Sequence, residues 1–178
     1  MAYGGMELTI AAPADLPEIV ALVNSAYRGE AALQGWTTEA GYIGGQRTDI
    51  IALSEDLAAA PEARLLIHRL GSGALVACVW LEPASESAWL LGMLTVRPDL
   101  QASGLGRRLL GAAETYAKAG GASRIRMTVI SVRDTLIAWY RRRGYELTGE
   151  TKPFPYGDTR FGEPTREDLE FLVMEKPL

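Results

Sequence analysis

Two residue types are nearly missing from this 178-residue chain, which has one cysteine, Cys78, and one histidine, His68. A lone cysteine cannot form an intrachain disulfide, so nothing points to a secreted scaffold held by bridges. No Cys/His zinc cluster can be assembled, and no metal is expected. A serine or cysteine nucleophile with an imidazole base would have to use His68. That residue lies beside Arg64-Leu-Leu-Ile67, away from every motif described below, and is read as structural or surface. Most hydrolases built on a nucleophile and a histidine are thereby excluded. Long hydrophobic runs are also missing: none approaches the roughly 20 residues of a membrane helix, and the N-terminus lacks a signal-peptide pattern. A cytoplasmic protein with no membrane partner is expected. Positive charge is scarce, with 18 Lys and Arg against 22 Asp and Glu for a net charge of −4. With a pI near 5.1 there is no broad basic field for nucleic acid, and a cationic partner is slightly favoured.

What is present describes a globular chain. Hydrophobic residues make up 48% and charged residues 22%, which is enough apolar material for one core and suits a single domain over 1–178. Met6 to Ala11 reads as a strand. Asp15, with Glu18 three residues on, resembles a capping box opening a helix whose stripe is Ile19, Leu22, Val23, Ala26 and Tyr27. Residues 30–46 lose this periodicity and read as a loop. Thr48 is placed as the cap of a second helix carrying Ile50, Leu53 and Leu57.

Three strands follow, 64–70, 74–81 and 88–96, the first two joined by Gly71-Ser-Gly73. A helix is expected over 104–119, a strand over 124–130, a helix over 135–143, and last strands over 145–149 and 169–175. Cys78, inside Leu75-Val-Ala-Cys-Val-Trp80, reads as a small buried hydrophobe. The order implies an α/β fold with a central sheet of mixed antiparallel and parallel pairs flanked by helices.

The most informative stretch runs from Leu94-Thr95-Val96 through Gln101-Ala102-Ser103-Gly104-Leu105-Gly106-Arg107-Arg108. Here a strand ends, a glycine turn follows and a helix begins. The first N–H groups of a helix have no internal partner and carry the positive end of its dipole, so such a turn can cradle a phosphate. Arginines in a first helical turn are unfavourable by about 0.3–1 kcal/mol each, a cost that a bound anion reverses. Leu109 stands where a dinucleotide fingerprint needs its third Gly or Ala, and no Lys-Ser/Thr follows as a P-loop requires. Neither NAD nor ATP is implied.

Gln101-x-x-Gly104-x-Gly106 after Leu-Thr-Val resembles the pyrophosphate loop of the GCN5-related N-acetyltransferase (GNAT) family. Tyr140-Arg-Arg-Arg-Gly144-Tyr145 is similar to a second segment of that family, at the expected distance. The resemblance covers about Met6 to Lys176. It implies a GNAT-like acyl-CoA N-acyltransferase fold and acetyl-CoA as acyl-donor cosubstrate, with a primary amine of a small molecule or peptide as acceptor. It further implies that the backbone of Leu94, Thr95 and Val96 pairs with the pantetheine arm, and that N–H groups from Gln101 to Arg107 bind the pyrophosphate. Tyr140 would act as general acid to the CoA thiolate.

Arg133 stands where many relatives carry asparagine; it could reach a cofactor phosphate or a substrate acid, or lie at the surface near a helix start. Residues 88–96 hold no carboxylate, leaving Glu82 and Glu86 upstream as bases acting through water. Acceptor contacts are assigned to Tyr27, Trp36 and Trp89, with Phe154, Tyr156 and Phe161 of the segment 152–164. That segment is either a lid or a packed Ω-loop. Arg141 to Arg143 are read only as suiting a helix C-terminus. A non-catalytic acyl-CoA-binding or regulatory module is the alternative reading, and a homodimer is left open.

Overall fold

The computed structural model describes residues 2–3 and 5–178, the side chains of residues 2 and 3 excepted. Seven strands form its main sheet: β1 (Thr9–Ile10), β2 (Arg64–Arg69), β3 (Leu75–Pro83), β4 (Ala88–Val96), β5 (Arg124–Ile130), β6 (Glu146–Pro153) and β7 (Glu170–Pro177). They are ordered β1-β2-β3-β4-β5-β7-β6. Every neighbouring pair is antiparallel except β4 with β5. A parallel pair needs a crossover, and this one is supplied by α4 (Leu105–Ala119). The other helices are α1 (Leu16–Tyr27), α2 (Gly29–Ala32), α3 (Ile50–Ala59) and α5 (Asp134–Arg141). The mixed sheet expected from the order of elements is present.

Two layers cover the sheet. Helix α4 buries Leu105, Leu109, Ala112, Ala113 and Ala117 in a cluster with Leu81, Leu91, Val96, Ile125 and Met127. On the other face, Leu16, Ile19, Leu22 and Val23 of α1 and Leu53 of α3 pack with Leu65, Ile67 and Cys78. Strand alternation divides β2 between them, with Leu66 in the first cluster and its neighbours Leu65 and Ile67 in the second.

Several local expectations are corrected. The first strand is broken at Leu8 into Met6–Glu7 and Thr9–Ile10. Asp15 makes no cap bond to α1; its carboxylate accepts from the Ala12 N–H at 2.8 Å and pairs with Arg69, which also holds Glu18 at 2.7 Å. The nearby guanidinium therefore takes both carboxylates of the expected box. Asp49, not Thr48, caps α3 by accepting from the Ala52 N–H at 2.8 Å, while Thr48 is buried. The 30–46 stretch is mostly irregular but contains part of α2 and a short pairing of Ile43–Gly44 with Glu163–Pro164.

The feature that positions the site is the parting of β4 from β5. They pair only from Ala88, Trp89 and Leu90 to Arg124, Ile125 and Arg126. Beyond Leu90 the strands diverge. The β3–β4 register shifts between Cys78 and Trp80, and Met93 on the facing stretch has φ 49°. A left-handed non-glycine residue in a bulge bends the strand and re-aims the residues after it.

Candidate active site

A cavity of about 430 Å³ opens where β4 leaves β5. Its walls include Leu94, Thr95 and Val96 of β4, Gln101, Ala102, Gly104, Gly106 and Arg107 of the glycine turn, and Arg133, Trp139 and Tyr140 around α5. Tyr27 and Trp36 also line it. Sequence-predicted residues from distant parts of the chain thus share one space. Of the others in the turn, Ser103 is exposed and donates to the Leu100 carbonyl at 2.6 Å. The Leu105 side chain points into the core, so only its backbone is available to a ligand.

The turn has the build of an anion cradle. Gly104 has φ 81°, and a Cβ there would meet nothing within 4 Å, so the constraint is conformational. Gln101 spends its amide locally, donating to the Val96 carbonyl at 3.4 Å and accepting from the Thr37 N–H at 3.5 Å. A Cβ at Gly35 would collide with that amide, so glycine lets the 35–37 stretch settle against the turn.

Charge at the cavity exceeds what the motif alone suggests, because Arg142 and Arg143 line it together with Arg107. Arg143 stacks on Trp139, 3.6 Å from the ring centroid, and donates to the Trp139 carbonyl at 2.6 Å. Burial, then the like charges of Arg142 and Arg107, press its pKa below the usual arginine value. Its Nε is buried with no hydrogen-bond partner among the described residues. Three guanidiniums and an unpaired N–H around a glycine turn suit a polyanion such as the pyrophosphate and 3′-phosphate end of coenzyme A. Sequence reasoning missed the place of Arg142 and Arg143 in this cavity wall, since a basic helix end is ordinary in itself.

Tyr140 is buried, with its ring edge-on to Trp139 at 5.0 Å and to Tyr145 at 5.6 Å. Gly144, at φ 87°, ends the turn after α5 and returns Tyr145 to the core, where its hydroxyl donates to Glu114 at 3.0 Å. The Tyr140 hydroxyl itself has no hydrogen-bond partner among the described residues. Burial raises its pKa above the ordinary phenol value, so it stays protonated at neutral pH.

Arg133 is no surface residue. It is buried, donating to Glu39 Oε1 at 3.1 Å and to Thr37 Oγ1 at 2.6 Å. The other oxygen of Glu39 accepts from Arg28 Nη2 at 2.8 Å and Nε at 3.2 Å, and Arg28 also donates to the carbonyls of Gly44 and Phe161. Two guanidiniums on one carboxylate bind the 28–44 stretch and the loop around Phe161 to the start of α5. Tyr27 donates to the Leu94 carbonyl at 3.1 Å; burial raises its pKa, so the phenol remains a donor.

A second cavity of about 480 Å³ lies beyond this network. Gly92 of β4 and Met127, Thr128 and Ile130 of β5 line it, with Arg47, Glu82, Lys152 and Phe154. Leu94 to Val96 line the first space and Leu90 to Gly92 the second, with the left-handed Met93 between the two stretches. Glu82 is half-buried and accepts from Trp80 Nε1 at 3.1 Å, whereas Glu86 is exposed and outside the lining. Phe154 and Phe161 pack with Ile43, Ile130, Leu169 and Phe171, which anchors the segment at these two rings, while Lys152 and Pro153 belong to β6. Tyr156 is exposed, its hydroxyl accepting from the Leu169 N–H at 2.7 Å. Trp89 lies at the opposite end of β4 against Tyr116, 6.3 Å between ring centroids. Trp89 and Tyr156 line neither cavity, and Phe154 lines only the second.

Residues 22–145 match the model of the acetyltransferase (GNAT) family, and the chain belongs to that family. Its class of reaction follows: the protein is an acyltransferase. An IAA acetyltransferase of Azospirillum brasilense is 34% identical over 122 residues, covering 67% of this chain and 71% of that protein. Among solved structures, a ribosomal-protein-alanine N-acetyltransferase from Brucella melitensis has a TM-score of 0.67 at 20% identity, covering 97% of this chain and 100% of its own. A GNAT family acetyltransferase from Elizabethkingia anophelis with acetyl-CoA bound has a TM-score of 0.60 at 15% identity, covering 71% and 82%. These structures share the fold. Among the described residues there is no cluster of His, Cys, Asp or Glu that could hold a metal ion, and no helix long and apolar enough to cross a membrane.

Proposed function

We propose that the protein transfers an acetyl group directly from acetyl-CoA to a primary amine, with Tyr140 as general acid. The observation that carries this reading is the convergence of the glycine turn, the diverging strand and the Tyr140 phenol on one cavity. Acetyl-CoA supplies the activated carbonyl and a sulfur leaving group. The turn from Gln101 to Arg107, with Arg142 and Arg143, binds the phosphates. The edge of β4 at Leu94 to Val96 orients the pantetheine arm. The acceptor amine enters from the second cavity, where Glu82 takes its proton through water. As the N–C bond forms and the C–S bond breaks, Tyr140 gives its proton to the departing thiolate and recovers one from solvent.

A free thiol ionises near pKa 8.5 and a phenol near 10, so in water this transfer would be uphill by about 2 kcal/mol. Burial acts on both groups alike, raising the phenol and the thiol leaving into the same space, so the gap stays of this order. No acyl-enzyme is required.

The test is thiol release from acetyl-CoA against a panel of amines, amino acids, polyamines and peptides. Wild type should turn over at least one acceptor. Tyr140→Phe keeps both ring contacts, so it should retain CoA affinity while kcat falls by about 10²-fold or more. An unchanged kcat overturns the acid role. Binding of acetyl-CoA with no thiol released by any acceptor would favour the non-catalytic module.

A further inference from the structure

The second cavity runs against the charge of the whole chain. Arg47 lines it, half-buried, with its guanidinium carbon 5.8 Å from the Tyr27 ring centroid. Unlike Arg28 and Arg133, it has no carboxylate partner among the described residues. Lys152 lines the same space and likewise has no ion pair there. Behind them, Arg28, Glu39 and Arg133 are each more than nine-tenths buried and together carry a net +1. Glu39 is neutralised by that network, so Glu82 is the carboxylate left to meet a ligand cation. A half-buried cation without a counter-charge is unfavourable, and a ligand anion removes that penalty. The remaining wall is apolar, with Ile43, Met127, Phe154 and Phe171.

We propose that this cavity selects an acceptor amine that also carries a carboxylate on an apolar body, such as an apolar α-amino acid, and that Arg47 is the residue that recognises the carboxylate. The proposal rests on the acetyltransferase reading above and gives its acceptor a chemical class. Arg47 and Glu82 then act as a two-point clamp. The guanidinium takes the acid end, and Glu82 faces the amine. The acceptor class opposes the one that net charge favoured, because local field and not total charge acts on a bound group.

The experiment compares L-phenylalanine with L-phenylalaninamide and L-leucine with L-leucinamide. Each is tested for thiol release from acetyl-CoA and for binding to the CoA-loaded protein by calorimetry. The acids should be preferred over their amides by tenfold or more in kcat/KM. In Arg47→Gln that preference should fall towards unity through a raised KM with little change in kcat, and Arg47→Lys should restore part of it. Thermal denaturation checks that both variants fold. Equal or better use of the amides, or an undiminished preference in Arg47→Gln, overturns the proposal. If no amine releases thiol, the transfer reading fails, and calorimetry still decides the anion site. Tighter binding of acid than amide, lost in Arg47→Gln, supports it; equal binding, or none, overturns it.

Discussion

The two cavities, lined by successive stretches of β4, are assembled in different ways. The first takes much of its wall from one continuous run, Leu94 to Arg107, and closes it with α5. The second draws on β3, β4, β5, the 28–47 stretch and the 152–171 region, with few residues from each. Binding a phosphate group by backbone needs successive N–H groups at one helix start, which is a local property. Recognising a small acceptor needs several side chains converging from different directions, which only packing can arrange. A cavity built on one helix start therefore leaves a compact signature in the sequence, and one built by packing does not.

Glu39 joins the two spaces, so its loss is the severest test of treating them separately. Glu39→Ala would leave the Arg28 and Arg133 guanidiniums buried and unneutralised, which should cost about 3–5 kcal/mol in stability. Chemical denaturation measures that cost, and a loss below 1 kcal/mol would show that the network is not holding the 28–44 stretch. Arg143→Ala should act on one side only. It should weaken CoA binding by about tenfold, consistent with the 1.5–3 kcal/mol of a charged hydrogen bond, and make binding less sensitive to salt. The acceptor KM should stay put; a parallel rise would mean that the cavities are coupled.

The smallest effect at neutral pH concerns neither cavity. Burial pushes the Cys78 thiol up to about 12, against partial opposition from the Thr95 hydroxyl. The unfolded chain ionises this thiol near 9, so the stability its burial supports is intact below that value and is lost as pH rises from 9 to 12. Denaturation midpoints over this range should fall less steeply in Cys78→Ala. Tyr140 and Tyr145, also raised by burial, steepen the decline above pH 10 in both proteins.

The site divides in legibility along the same line as the cavities. Strands 88–96 and 124–130 have their expected boundaries because apolar runs between clear turn signals leave little choice. The glycine turn was readable because a helix start carries local chemistry, while Tyr140 was singled out by the family resemblance, and both line the first cavity. Aromatic type, in contrast, says nothing of direction: Trp36 reaches the first cavity, Phe154 the second, and Trp89 and Tyr156 neither. Arg28, Glu39 and Arg47 were invisible as site residues, for they are brought together by distant segments, Glu39 with Arg133 at 94 positions and Arg28 with Phe161 at 133. The helix caps failed for a related reason. Asp15 is a good N-cap by type, yet Arg69, from the strand hairpin, outbids the helix backbone for its carboxylate.

By itself the sequence determined the order of elements, the glycine turn at a helix start with Tyr140 on the following helix, and, with one cysteine, that no intrachain disulfide can form. Those properties depend on neighbours within a turn or two of helix, or on composition alone. Only the tertiary structure decided where β4 parts from β5, that Arg133 is a buried ion-pair partner, and that an acidic chain gathers Arg28, Arg47 and Lys152 around one cavity. Each of these results from distant segments competing for the same contacts, and desolvation sets the strength of a charge once packing has chosen which groups share a space.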